Sequence, residues 1–242
     1  MQRYRAIQLF LGGGLLLLFS VINAKETNAH KFDSAAIERG KALSLVCAAC
    51  HQPDGRGMDL PAVESWPRLA GQNRDYLVAQ MKAYKEGTRE NMTMPIYVNN
   101  LKDHEMMDLA TYFASLPMTE ADKLDEMDEA QYKRGEFLVQ IGDWDHYIVG
   151  CSKCHGQDSL GVGAIFPALA GQHPGYIIQQ LEAWKEGKRH NDPQGLMASI
   201  AKRMSDGDIE AVALYLSQQP IKKASKDNPD TNSTNNASQN SH

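Results

Sequence analysis

The chain has 242 residues, 42% of them hydrophobic and 23% charged, with a formal net charge of −5 at pH 7. This length suits one or two domains. The acidic balance, without any basic stripe, argues against nucleic acid as a partner.

The first 24 residues carry Arg3 and Arg5, continue with a run rich in Leu and Phe, and end at Ala24. This pattern predicts a secretory signal peptide over residues 1–24 and therefore a periplasmic protein. The alternative is a retained anchor with membrane association, because the apolar run barely reaches the ~20 residues that span a bilayer. Cleavage would leave 23 basic against 30 acidic residues.

The sequence repeats itself at an offset near 100 residues. RLAGQNRDYLVAQMKAYKEGTR (68–89) matches ALAGQHPGYIIQQLEAWKEGKR (168–189), and DLATYFASLP (108–117) matches AVALYLSQQP (211–220). Each copy has the size of one small domain. Such a domain buries little apolar surface, so it usually needs a disulfide, metal or cofactor.

The repeat predicts a first domain over residues 25–118 and a second over 131–220, joined by the acidic linker 119–130. The segment 221–242 is rich in Asn and Ser with almost no apolar residues, which predicts disorder. Within each copy the apolar residues follow helical spacing, with Gly87 and Gly187 as stops. No run alternates as a strand does, so the predicted class is all-α.

Two CxxCH motifs contain every cysteine of the chain. On a helical turn, residues i and i+3 share one face, so two thiols can bond one edge of a haem while the following histidine reaches the iron. This spacing is the signature of c-type haem attachment, and the sequence therefore predicts two covalently attached haem c groups. The predicted attachment and iron-binding residues are Cys47, Cys50, His51, Cys151, Cys154 and His155.

A structural zinc site or a redox CxxC is the alternative. Zinc sites usually separate their cysteine pairs by tens of residues at most, whereas Cys50 and Cys151 lie a whole domain apart. A thioredoxin-like motif needs a βαβ setting, which the pattern does not show.

The sixth iron ligand has to be chosen among eleven methionines. Aligning the last helices at Tyr112 and Tyr215 superposes Met94 on Met197, at nearly the same distance from the motif histidines. Both are predicted iron ligands, a set that suits electron transfer. Met92 is the alternative in the first copy.

The order of motifs in each copy resembles that of class I cytochromes c. Each copy has a CxxCH motif, then LAGQ, a Tyr-bearing helix ending in KEG, a methionine and a last helix with a Tyr. The tandem arrangement over residues 34–220 resembles the two-haem cytochrome c4 family, with domains like those of cytochrome c553. This resemblance implies two small helical domains whose haems face each other.

The resemblance also implies roles for residues outside the motifs. Pro67 and Pro167 match the proline whose carbonyl accepts a hydrogen bond from the haem histidine, although a simple turn proline is the alternative. Gly40 and Gly135 match the glycine that lets the first helix cross the last. The insertion GDWDHYIVG (142–150) is either a partner surface or a solvated loop.

Two functions remain open. The first is an electron carrier in the periplasm, and the resemblance implies a quinol-oxidising complex as donor and a terminal oxidase as acceptor. The second is a haem enzyme with an open iron, or the electron-accepting subunit of a dehydrogenase, for example in thiosulfate oxidation. The carrier is the main prediction, with no catalytic residue.

Overall fold

The structure, a computed structural model, describes residues 32–119, 124 and 126–221. The predicted signal peptide, most of the predicted tail and part of the predicted linker lie outside the described residues. No helix within the described ranges is long and apolar enough to cross a membrane.

The first half of the chain folds into helices joined by irregular segments. They are α1 (Ser34–Leu43), α2 (Ala48–His51), α3 (Arg74–Glu86), α4 (Met94–Val98) and α5 (Asp103–Ser115).

The second half repeats this order and adds a small hairpin. Its elements are α6 (Glu129–Gln140), β1 (Gly142–Asp143), β2 (Ile148–Val149), α7 (Ser152–His155), α8 (Pro174–Glu186), α9 (Leu196–Ala201) and α10 (Asp206–Ser217). Single 3₁₀ turns lie at Trp144–His146 and Pro193–Gly195. The all-α prediction is confirmed, with this hairpin as a local departure.

Close crossing of the first and last helix organises each half, α1 on α5 and α6 on α10. A Cβ atom on Gly40 would lie 2.1 Å from the carbonyl oxygen of Asp108, and one on Gly135 would lie 2.0 Å from that of Ala211. Only glycine fits at such a distance, so the predicted role of both glycines is confirmed.

The long helices α3 and α8 end where the sequence predicts. Gly87 and Gly187 adopt left-handed conformations, with φ values of 73° and 80°. Their N–H groups donate to the carbonyls of Tyr84 and Trp184, which closes each helix.

The apolar faces of these helices form one core cluster in each half. Leu109 and Phe113 of α5 pack against α3, while Ile209 and Leu216 of α10 pack against α8 and the hairpin region. In both halves the core borders the cavity described below.

The insertion at 142–150 is neither a purely solvated loop nor a free flap. Ile148 is 1% exposed and belongs to the core, and Asp143 lies 2.8 Å from the guanidinium of Arg134 on α6. Between these anchors, Trp144 and Tyr147 are exposed. The hairpin was not predicted, because two residues in each strand are too few for a recognisable alternating pattern.

The two halves are also joined by backbone hydrogen bonds related by the repeat. The N–H of Glu90 donates to the carbonyl of Lys188, and the N–H of His190 donates to that of Thr88, both at 2.9 Å. This pairing brings the residues after α3 and α8 against each other.

We predict that Gly135→Ala destabilises the second half by at least about 2 kcal/mol, because the new Cβ overpacks a helix crossing. Gly207→Ala, at the start of α10, is the control, since its new Cβ would lie 4.0 Å from the hydroxyl oxygen of Ser205, an ordinary van der Waals contact. Denaturation followed by circular dichroism measures both variants. Equal stabilities would show that α6 and α10 can separate at little cost.

The residue after each CxxCH turn has a positive φ angle. Gln52 has φ 66° and ψ 155°, and its counterpart Gly156 has φ 90° and ψ 151°. This region is essentially restricted to glycine, and another residue there costs about 1–3 kcal/mol. We expect Gln52→Gly to stabilise the protein and Gly156→Gln to destabilise it, as measured by guanidinium denaturation. The same sign for both changes would contradict this account.

Candidate functional site

Each CxxCH motif forms a single helical turn. The N–H of His51 donates to the carbonyl of Cys47, and that of His155 donates to that of Cys151, both at 2.9 Å. The turn places the two cysteines of a motif on one side and its histidine next to them. All four thiols are partly buried and none forms a disulfide.

The environment of the cysteines differs from that of a redox dithiol. Burial raises the pKa of the Cys47 thiol and raises that of Cys151 to about 11. Redox-active pairs need the opposite, a thiol whose pKa is lowered by nearby positive charge or a helix N-terminus. In the described ranges, no three His, Cys, Asp or Glu side chains are grouped as a metal site.

The environment of the two motif histidines favours the neutral imidazole. Each is 6% exposed, and burial lowers its pKa. The Nδ1 atom of His51 lies 3.0 Å from the carbonyl oxygen of Pro67, and that of His155 lies 2.8 Å from that of Pro167. Because a carbonyl can only accept, Nδ1 carries the proton and Nε2 keeps a lone pair. The hydrogen bonds expected of both prolines are therefore present.

Met94 and Met197 are both partly buried, and both line the cavity that the histidines line. Met94 is the first residue of α4, and its N–H donates to the Asn91 side chain at 2.6 Å. Met92, the alternative, is 94% exposed and does not line the cavity. Of Met92 and Met94, only Met94 therefore lines the same cavity as His51.

His146, in the hairpin insertion, lies away from this site. Its side chain is 69% exposed and its Nδ1 atom is 3.0 Å from a carboxylate oxygen of Asp143. His146 does not line the cavity.

One continuous cavity of about 660 Å³ receives the predicted residues from both halves. Its walls are mostly aliphatic and aromatic, as expected for a flat apolar group. The cavity brings together Cys47, Cys50, His51, Met94, Cys151, Cys154, His155 and Met197.

Polar groups on the cavity wall fit a ligand that also carries negative charge. The indole Nε1 of Trp184 is buried without a hydrogen-bond partner among the described residues. Arg89 and Arg189 line the cavity and are 4% and 3% exposed. The ion pairs found in the described part of the chain include neither arginine. A haem, with its apolar ring and two carboxylates, meets both requirements.

The two arginines are held at the junction of the halves by neutral acceptors. Arg89 donates to the Tyr176 hydroxyl at 2.7 Å and to the Gln180 side chain at 2.6 Å. Arg189 makes the corresponding bonds to Tyr76 at 3.2 Å and to a glutamine of α3 at 2.8 Å. The same neighbourhood includes Tyr84, whose pKa burial raises to about 12.

Neither these arginines nor the glutamine of each LAGQ stretch was predicted as a site residue from the sequence. Arg89, Arg189, Gln72 and Gln172 all recur at matching positions of the repeat. A polar residue kept in both copies beside an apolar helix was the available signal. Their partners lie about 100 positions away in the chain, so a single copy gave no indication of what they bind.

Comparisons with known proteins agree with this geometry. The family model described as Cytochrome c matches residues 37–117 and 145–220. A protein of Thiomonas intermedia named thiosulfate dehydrogenase electron acceptor is 41% identical over 72% of this chain and 79% of its own length. Cytochrome c4 of Pseudomonas aeruginosa is 37% identical over 78% of this chain and 90% of its own.

Among solved structures, reduced recombinant cytochrome c4 from Pseudomonas stutzeri is similar to this chain with a TM-score of 0.69 and 32% identity. The alignment covers 76% of this chain and 98% of that one. The cavity, the paired motifs and these matches lead to one assignment. The chain belongs to the cytochrome c family, as a cytochrome c4-type electron-transfer protein with two covalently attached haem c groups.

Proposed function

We propose that the two CxxCH turns hold the haems, each through its two cysteines, and that His51 with Met94 and His155 with Met197 bind the two irons. The observation that carries this proposal is the meeting of both His and Met pairs around one cavity. The repeat supplies the same set twice, in the same order.

Once bound, each haem iron supplies a one-electron couple, and the chain supplies its surroundings. The hydrogen bond from Nδ1 to a proline carbonyl fixes the tautomer and the ring orientation of each histidine. The apolar wall of the cavity would exclude water from a bound haem. Trp184, Arg89 and Arg189 offer donors for the carboxylates of the haem edge.

With a methionine available to each iron, neither site needs an open position, and this favours a carrier over a haem enzyme. We infer that the protein works in the periplasm, after removal of residues 1–24, with haem domains at 25–118 and 131–220. Its donor is a quinol-oxidising complex and its acceptor a terminal oxidase. Association with the membrane through an uncleaved N-terminus is the alternative.

The iron ligands are tested by replacing Met94 or Met197 with alanine. Each change should remove half of the far-red Met–iron absorption band of the oxidised protein and leave one iron that binds carbon monoxide. Met92→Ala is the matched control and should leave the band intact, because that side chain is 94% exposed.

The unmodified protein should contain two haems per chain and should not react with carbon monoxide. Rapid carbon monoxide binding to one of its haems would reveal an open iron. That result would overturn the carrier proposal and favour a haem enzyme.

A second candidate function is supported by the match to the thiosulfate dehydrogenase electron acceptor, at 41% identity. In this role the same carrier accepts electrons from a dehydrogenase that oxidises thiosulfate. The chemistry of the two haem sites would be unchanged, and only the donor would differ.

Stopped-flow mixing with each reduced donor distinguishes the two roles. We expect the physiological donor to reduce this protein at about 10⁶ M⁻¹s⁻¹ or faster. The rate should fall with added salt, because the acidic chain is expected to meet a basic docking surface on that donor and salt screens the attraction. A thiosulfate dehydrogenase that reduces it about 100-fold more slowly than a quinol-oxidising complex does would exclude the second role.

A further inference from the structure

The peptide groups that follow Pro67 and Pro167 are bonded at both ends. The carbonyl of Pro67 accepts from Nδ1 of His51, and the N–H of the same peptide group belongs to Arg68. That N–H donates to the side-chain oxygen of Gln172 at 2.8 Å. One planar group therefore connects a haem histidine with a residue of the other half.

The second half has the mirror arrangement. The carbonyl of Pro167 accepts from His155, and the N–H of Ala168, in the same peptide group, donates to the side-chain oxygen of Gln72 at 2.9 Å. Each glutamine thus serves the histidine of the half to which it does not belong.

Both glutamines are held in a single orientation. The Nε2 of Gln172 donates to the carbonyl of Arg68 at 3.1 Å, and the Nε2 of Gln72 donates to that of Ala168 at 3.1 Å. Each side-chain oxygen also accepts from the next residue in its own chain segment, the N–H of Asn73 or His173. At 6% and 4% exposure, these amides are shielded from bulk solvent, so the loss of a partner leaves a buried polar group unpaired.

Hydrogen bonds in a chain polarise one another, especially where the local dielectric constant is low. An acceptor on the N–H of a peptide group pushes electron density onto its carbonyl oxygen. That oxygen then accepts more strongly from Nδ1 of the histidine. A stronger bond at Nδ1 makes the imidazole a more basic ligand.

We propose that Gln72 and Gln172 are positioning residues exchanged between the halves, each setting the donor strength of the opposite haem histidine through the intervening peptide group. The inference rests on the proposed function, since it takes His51 and His155 as iron ligands. Beyond that function, the inference states that the packing of one half against the other affects the histidine of each haem site.

The sign of the effect follows from the chemistry. A more basic histidine favours the oxidised iron, so loss of the glutamine oxygen should favour the reduced form. Gln172→Leu is expected to raise the potential of the haem at His51 and to leave the haem at His155 nearly unchanged. Gln72→Leu is expected to give the reverse pattern.

The two potentials are measured by spectroelectrochemistry of the two-haem protein. The haems are assigned by NMR, from the methionine signals that Met94→Ala and Met197→Ala remove. The reduction equilibrium of the opposite haem should change at least threefold, about 28 mV for a one-electron couple. The Nδ1 proton of the opposite histidine should also move upfield, because its hydrogen bond weakens.

Gln179→Leu is the matched control for loss of interface contacts. The side chain of Gln179 also accepts from a backbone N–H of the other half, that of Ser65 at 3.1 Å. Ser65 N–H does not share a peptide group with the carbonyl that the histidine uses. An effect of docking alone would move the potentials equally in Gln179→Leu and Gln172→Leu, and this would overturn the proposal.

The proposal is also overturned if Gln172→Leu shifts both haems equally, or shifts neither by twofold. These outcomes leave the proposed function intact as long as the unmodified protein has two haems closed to carbon monoxide. If Gln172→Leu does not accumulate with two haems, Gln72→Leu gives the mirror test. If both fail, Gln172→Asn keeps an amide and withdraws its oxygen by one methylene, with the same expected sign.

Discussion

The hydrogen bond between each buried histidine and a proline carbonyl is the interaction on which the rest of the structure depends. It fixes which nitrogen of His51 and His155 keeps a lone pair, and it holds a distant loop against the CxxCH turn. That loop continues directly into LAGQ and then into the long helix α3 or α8. The hydrogen bond to the histidine therefore helps to position this helix relative to the CxxCH turn. The same loop also contacts the other half, through the N–H groups of Arg68 and Ala168.

The core of each half is small, and both halves pack around the shared cavity. Apolar residues of α5 and α10 fill one side of each half, and the other side opens onto the shared cavity. Small domains of this kind need a further source of stability. Here the cavity wall provides a place for a large apolar cofactor that completes the packing.

Local patterns were sufficient to predict much of this arrangement. The helical class, the ends of α3 and α8 at Gly87 and Gly187, and the crossings at Gly40 and Gly135 depend on neighbouring residues or on a glycine repeated in both copies. The CxxCH spacing identified the cofactor because it is set within one helical turn. Register between the copies selected Met94 over Met92, a prediction that the exposed position of Met92 supports.

Features that depend on the packing of one half against the other could not be predicted from the sequence. The residues next to Arg89 and Arg189 in sequence do not indicate that these side chains are buried and bonded to neutral acceptors. The Tyr acceptors of both arginines lie in the opposite half. The hairpin at 142–150 was missed for a different reason. Its strands have two residues each, too few for an alternating pattern, and it is held by the ion pair between Arg134 and Asp143.

The reciprocal bonding of Gln72 and Gln172 has a consequence for how the two copies can diverge. A duplicated domain is normally free to drift in one copy while the other keeps the original role. Here the loss of either glutamine removes both bonds that it makes to the backbone of its neighbour. Each copy thus constrains a residue of the other, which fits the presence of LAGQ in both halves while the insertions around it differ in length.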